Sequence, residues 1–258
     1  MEKVCKMFQI ISQKKITEDI FSLWIEVGDM VKDIRPGQFV SVYCGDGSRL
    51  LPRPISICEV AKATKAIRLV YRVVGEGTKE LSMMKAEEEV KMILPLGNGY
   101  TLKEDKAILI AGGIGIPPML QLAKELKKVE KTVVLGFKDS QTFLLNEFSF
   151  IPKTKVIIAT EDGSVGVKGN VLDAIREEGV EGDVIYSCGP TPMLRAVKAY
   201  AQEKGIEAQI SLEERMACGI GACLACVCQS KEVDHHSNVH NKRVCKDGPV
   251  FNAQEVEL

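Results

Sequence analysis

The chain has 258 residues, 45% hydrophobic and 27% charged, a balance that suits folded domains and excludes extended disorder. Lysine and arginine total 34 against 35 for aspartate and glutamate, and a net charge of −1 gives no electrostatic basis for binding nucleic acid or an anionic membrane. The opening MEKVCKMFQI lacks the apolar run of a secretory signal, and nowhere do 18 apolar residues follow one another, which predicts a soluble, cytoplasmic protein.

Residues 1–100 read as all-β. Short runs rich in Val, Ile and aromatics recur, separated by Gly, Pro and Asp: Phe21 to Val27, Gln38 to Tyr43 after Pro36-Gly37, and Ala66 to Val74. Such repeated short strands predict a small closed barrel. Within it, Arg53-Pro54-Ile55-Ser56 offers a guanidinium fork for phosphate and a hydroxyl. Val70-Tyr71-Arg72 offers an apolar or ring wall and a second guanidinium. The turn through Gly77-Thr78 offers an anion-binding helix start. The combination suits a flavin with a phosphate tail; the plainer reading of Arg53 to Ser56 is an edge strand carrying one proline.

After Gly97-Asn98-Gly99 the pattern becomes strand, helix, strand, helix. Lys106 to Ala111 is a continuous apolar strand of the kind buried on both faces of a parallel sheet, and further strands are expected at Thr132 to Phe137, Lys155 to Ala159 and Asp183 to Ser187. Asn170 with Asp173 three residues on predicts one helix start, Gly179 its stop; Thr191 predicts another N-cap, with Pro192 in its first turn and Gly205 at its end. Residues 101–211 are therefore expected to form a doubly wound α/β domain. Its first strand runs into Gly112-Gly113-Ile114-Gly115-Ile116-Pro117, where backbone can approach a pyrophosphate at a helix N-terminus. Cys188-Gly189-Pro190 is a second strand-to-helix turn, expected at the same sheet edge. Glu161, at the end of another strand, places a carboxylate where it would repel the 2′-phosphate of NADP and leave NAD as the partner nucleotide. A solvated turn is the plainer reading of Glu161-Asp162.

The remaining residues, 212–258, hold five of the nine cysteines, too crowded and too odd in number for a disulfide framework. Cys218, Cys223 and Cys226, followed by Cys245, form C-x4-C-x2-C…C, the plant-type [2Fe-2S] ligand spacing. Gly219, Gly221, Ala222 and Ala225 are small enough for the backbone to curl around inorganic sulfide. A four-cysteine zinc site or buried free thiols are the alternatives. Cys228, one residue beyond Val227, could replace Cys226 or Cys245, although a non-ligand role is favoured. His235, His236 and His240 read as members of a solvated loop.

With these segments in order, the sequence resembles the ferredoxin–NADP reductase superfamily and, within it, the family of electron-transfer subunits of type B, NAD-dependent dihydroorotate dehydrogenase. The resemblance covers essentially the whole chain; the tail Arg215 to Cys223, with Val244 to Phe251, narrows it to that family. It implies that Arg53 to Ser56, Val70 to Arg72 and Gly77-Thr78 hold FAD, and that Cys218, Cys223, Cys226 and Cys245 ligate the cluster. It also implies a partner, an FMN-containing barrel subunit that oxidises dihydroorotate in pyrimidine biosynthesis, from which electrons pass through cluster and FAD to NAD+. Because NAD(H) exchanges two electrons as hydride and a [2Fe-2S] cluster one at a time, a flavin is the converter. No acid–base triad is expected. A subunit of a ferredoxin–NADP reductase-like, sulfide dehydrogenase or hydrogenase complex is the nearest alternative, and a zinc-bearing interaction module on a reductase scaffold a more distant one.

Overall fold

The computed structural model describes residues 3–45, 49–233 and 238–258. Six antiparallel strands close a barrel in the order β1-β2-β5-β4-β3-β6: β1 (Val4–Lys15), β2 (Ile20–Glu26), β3 (Phe39–Val42), β4 (Arg53–Ala61), β5 (Ala66–Arg72) and β6 (Glu89–Leu96). Alternation along each strand sends one residue in two inward. Val40, Val42, Ile55, Ile57, Ile67, Leu69, Met92 and Leu94 fill the barrel. One helix, α1 (Glu76–Met83), follows β5 at the rim.

The second body is a seven-stranded sheet in the order β10-β9-β8-β7-β11-β12-β15. Its strands are β7 (Ala107–Gly112), β8 (Lys131–Phe137), β9 (Thr154–Thr160), β10 (Val167–Lys168), β11 (Val184–Cys188), β12 (Glu207–Ser211) and β15 (Val250–Asn252). All neighbours are parallel except β12 and β15. Helices α2 (Ile116–Glu125) and α3 (Leu145–Ser149) cover one face; α4 (Val171–Glu177) and α5 (Thr191–Lys204) cover the other. The strands read from the sequence in this body are present within one residue at each end; in the barrel, the run read to Val74 stops as β5 at Arg72.

The helix ends follow from their residues. Asn170 Oδ1 accepts from the Leu172 and Asp173 amides while Asp173 Oδ2 accepts from the Asn170 amide, a reciprocal cap that satisfies donors with no helical partner. Gly179 (φ +58°) and Gly205 (φ +67°) end α4 and α5 in the left-handed conformation that glycine adopts without penalty. Thr191 is the first residue of α5 rather than its cap: Pro190 occupies the cap in extended conformation, and no side-chain bond closes this end.

The tail is woven into both bodies. β15 extends the sheet, a short β13 (Val227–Gln229) and β14 (Asn241–Arg243) pair with each other, and Asn98 at the junction grips the tail. The Asn98 amide donates to the Gly248 carbonyl (2.6 Å), and its side-chain nitrogen donates to the carbonyls of Lys246 and Asp247. Barrel and sheet meet along α2 and β4. There the Gln121 side chain accepts from the Val60 amide (2.8 Å), Lys124 pairs with Glu59, and Arg68 bridges Glu59 (3.5 Å) and Glu147 (2.6 Å).

Candidate redox site

Three regions of chemistry-bearing residues are brought to the seam between barrel, sheet and tail. On the barrel, Arg53 opens β4 opposite Val42, Ser56 stands opposite Phe39, and Ile55 turns inward. The Arg53 guanidinium donates to the Leu51 carbonyl and lies across the first turn of α1; a Cβ on Gly77 would come within 2.0 Å of Arg53 Nε. Gly77 is thus glycine because an arginine occupies its side-chain space. Thr78 Oγ1 accepts from the amides of Val74 (3.0 Å) and Gly75 (3.3 Å), so its hydroxyl closes the start of α1.

The β5 segment differs from its sequence reading. Tyr71 points into the barrel beside Leu69, 3% exposed, its hydroxyl donating to Gln13 (2.8 Å) and its ring stacked on Phe21. Its ring therefore lies inside the barrel and forms no wall on the outer face. Val70 is buried against the second body, and Arg72 pairs with Asp19 at 2.9 Å. The parity of β5 explains this: Ile67, Leu69 and Tyr71 share the inner face.

At the C-terminal edge of the parallel sheet, the two glycine turns pack backbone to backbone. β7 and β11 are neighbours, with Ala111 opposite Cys188. A Cβ on Gly115 would meet the Cys188 carbonyl oxygen at 2.4 Å, one on Gly112 would meet Met193 Sδ at 2.8 Å, and one on Gly189 would meet Met193 Cε at 2.5 Å. Gly113 is left-handed (φ +54°), and Pro117 lies in the first turn of α2, where its missing N–H costs nothing. Pro190 is exposed beside them. Burial pushes the Cys188 thiol up to about 12, so it is an uncharged thiol at neutral pH. Glu161 is exposed just past β9, whereas Asp162 is engaged with Ser164, whose hydroxyl and amide hold its carboxyl below the usual range.

In the tail, the four spaced cysteines come together in two pairs. Cys245 donates its amide to Cys226 Sγ (3.3 Å), which sets the two thiols side by side. Cys218 and Cys223 form the second thiol pair, and Cys218 Sγ accepts from the amides of Ile220 (3.5 Å) and Ala222 (3.2 Å). Cys226 is drawn below the usual thiol range by the neighbouring Cys245, while Cys245 is pushed above it by the same neighbour. Burial works against Cys218, yet the amides of the curled loop bring it down to about 7. Gly219 (φ +67°) and Gly221 (φ +89°) permit the curl, the second because a Cβ would strike Lys246 at 2.7 Å. Among the described residues, no three Cys, His, Asp or Glu groups already form a closed metal-binding group; the arrangement is two pairs.

Cys228 stands apart. Its sulfur donates to the Lys242 carbonyl (3.6 Å) across the β13–β14 pair, and burial pushes it up to about 11. His240 is bonded through Nδ1 to the Lys231 carbonyl (2.9 Å); His235 and His236 lie outside the described residues. Sequence reasoning missed three further residues that shape the site. Arg243, 6% exposed, donates to the Gly221 carbonyl (3.2 Å) and pairs with Asp247 (3.3 Å). Gln38 donates to the Gly97 carbonyl (2.8 Å), and Asn98 holds the turn after Cys245. Each makes a contact across a long stretch of sequence, Arg243 through Gly221, where no local signal exists.

A closed six-stranded barrel joined to a parallel nucleotide-type sheet defines the class: a ferredoxin–NADP reductase-like oxidoreductase carrying an added cysteine-rich tail. The cytochrome b5 reductase domain of Ulva prolifera nitrate reductase shares this fold, with a TM-score of 0.66 over 80% of this chain and 97% of that one at 18% identity. A chain of the NADH-dependent reduced ferredoxin-NADP oxidoreductase, solved for insights into flavin-based electron bifurcation, matches more fully. Its TM-score is 0.86 at 30% identity, over 98% of this chain and 90% of that one.

Residues 213–257 match the family model for the iron-sulfur cluster binding domain of dihydroorotate dehydrogenase B, and residues 109–199 that for the oxidoreductase NAD-binding domain. The chain belongs to the family of dihydroorotate dehydrogenase B (NAD(+)) electron transfer subunits. It is 43% identical over 257 residues to the subunit of Fusobacterium nucleatum subsp. nucleatum, covering 95% of each chain. It is 43% identical over 256 residues to that of Listeria monocytogenes serotype 4a, covering 97% of this chain and 98% of the other.

Proposed function

We propose that this chain moves electrons between NAD(H) and an FMN-containing dihydroorotate dehydrogenase subunit, using FAD and one [2Fe-2S] cluster of its own. It is an oxidoreductase subunit of pyrimidine biosynthesis, and dihydroorotate itself is oxidised on the partner. The observation that carries this reading is the pairing of Cys218 with Cys223 and of Cys226 with Cys245. A [2Fe-2S] cluster needs four thiolates, two for each iron, and amides aimed at sulfur are the bonds that tune such a cluster.

The residues present fit the other two groups as well. For FAD, the holding residues are Arg53, Pro54, Ile55 and Ser56 on β4, the backbone of Val70 to Arg72, and Gly77 with Thr78 at the start of α1. A guanidinium against a helix start concentrates positive charge where a pyrophosphate would be held. For NAD, they are Gly112, Gly113, Gly115 and Pro117, then Cys188, Gly189 and Pro190, with Glu161 selecting against a 2′-phosphate. Bound flavin supplies the exchange between two-electron hydride and one-electron transfer. The chain's own residues supply position: turns packed too closely for side chains, a neutral Cys188 thiol, a cluster loop braced within the tail by Arg243, and a turn after Cys245 held by Asn98 at the end of the barrel. No proton-transfer triad is required, and no residue is assigned a catalytic role.

The division of labour follows the three regions: 1–100 for FAD, 101–211 for NAD and 212–258 for the cluster. The tail also lends β15 to the nucleotide sheet. No helix among the described residues is long and apolar enough to cross a membrane, and a cytoplasmic place of work is part of the proposal.

The test is reconstitution. Purified chain combined with an FMN barrel subunit should form NADH from dihydroorotate and NAD+, and neither alone should do so. A chain that bleaches with NADH but never couples to dihydroorotate would assign it to a different electron partner. That second reading is favoured by the 0.86 TM-score to a chain of the NADH-dependent reduced ferredoxin-NADP oxidoreductase structure.

A further inference from the structure

We propose that the Ser41 hydroxyl donates a hydrogen bond to a sulfur of the iron–sulfur cluster and raises its reduction potential. The inference rests on the cluster assignment above. On β3, Val40 and Val42 fill the barrel while Phe39 and Ser41 face outward, and the outward face is covered by the tail: Phe39 packs in one cluster with Cys226, Val244 and Cys245. Ser41 is 1% exposed, and its Oγ has no hydrogen-bond partner. The residue after Cys218 closes on it across the seam, since a Cβ on Gly219 would lie 2.6 Å from Ser41 Oγ.

A buried hydroxyl without an acceptor is unfavourable, and alanine would fill the same space without that cost. A serine persists here without an acceptor from the chain, directly beneath the loop that carries Cys218. Cluster sulfide and thiolate sulfur are negatively charged acceptors, and they become more so on reduction. A donor aimed at them therefore stabilises the reduced state more than the oxidised one. The β3 register also sets Ser41 opposite Pro54 on the Arg53 to Ser56 strand, so the flavin is the rival acceptor to be distinguished.

The experiment is a redox titration of the full chain and of Ser41→Ala, following the cluster by paramagnetic resonance and the flavin by absorbance, with iron and flavin contents measured on both. The expected result is unchanged contents, an unmoved flavin midpoint and a lower cluster midpoint. The size expected is up to a tenfold change in the oxidised-to-reduced ratio, about 59 mV for one electron. An unchanged cluster midpoint, or a shift confined to the flavin, overturns the inference. If Ser41→Ala loses iron, retention in Ser41→Thr, which keeps the hydroxyl, supports the bond, and loss in both overturns it. A wild-type chain without a [2Fe-2S] signal would instead remove the cluster reading on which this rests.

Discussion

Cys228 is separated from Cys226 by a single residue, and spacing alone leaves either able to complete the ligand set. The structure separates them by partner: Cys226 is bonded to Cys245, whereas Cys228 is bonded to the Lys242 carbonyl. Cys228→Ser should therefore keep full iron content, while Cys245→Ser should lose the cluster but keep flavin and NADH-to-dye activity, because hydride transfer needs no cluster. Iron analysis of the two variants decides it; iron lost from the first and kept in the second would reverse the choice of fourth ligand. Glu161 carries the nucleotide preference. The wild type should favour NADH over NADPH in kcat/KM, and Glu161→Gln should narrow the ratio by roughly fivefold, the scale of a screened surface charge pair. Equal use of both nucleotides by the wild type would contradict the assignment. At this scale the cysteine spacing was legible because three of the four, Cys218, Cys223 and Cys226, follow one another on one loop. Tyr71 was misread although its parity with Leu69 was there to see, and Ser41, Gln38, Asn98 and Arg243 were invisible because the segments they join or face, Gly219, Gly97, Asp247 and Gly221 respectively, are remote in sequence.

Helix α1 joins two otherwise unrelated motifs, since Gly77 makes room for Arg53. Alanine is a better helix former than glycine by about 1 kcal/mol, so on propensity alone Gly77→Ala should stabilise the element. The structure predicts a different outcome for function: the added methyl displaces the guanidinium, and flavin should dissociate on gel filtration even if the apo-protein melts no lower. Full flavin retention by this variant would show that Arg53 need not lie across the helix start. Elements of this length were readable where they carried their own punctuation, as α4 does with Asn170, Asp173 and Gly179. β15 carries none. Three residues whose strand identity comes from pairing with β12 have no period to detect, which is why the tail was expected to be separate rather than part of the sheet.

For the whole molecule, barrel and sheet must hold a fixed relation if flavin and nicotinamide are to meet. The seam rests on apolar packing of α2 against β4 and on the charge network of Arg68, Glu59, Lys124 and Glu147, in which Arg68 also donates to Ser22 (2.8 Å). The Arg68 side chain is 12% exposed, so its removal leaves Glu59, itself 18% exposed, with Lys124 as its remaining cation. Arg68→Met should lower stability to urea by about 1–3 kcal/mol, less than a fully buried pair because Glu147 remains partly solvated. A change within error would mean that packing alone sets the seam. The two-body plan was legible because the pattern of apolar residues changes period after Gly99; the network was not, since its members lie on four different elements.

The central claim is that one chain converts hydride into single electrons through a flavin and a [2Fe-2S] cluster held beside each other. Anaerobic titration of the purified chain with NADH, read by visible absorbance and paramagnetic resonance on the same sample, tests it most directly. The account predicts a brown-yellow protein whose flavin bands bleach and whose cluster signal appears as NADH is added, in the wild type but not, for the cluster, in Cys245→Ser. A colourless, zinc-containing protein, or a flavin that bleaches while the wild-type cluster is never reduced, would contradict it.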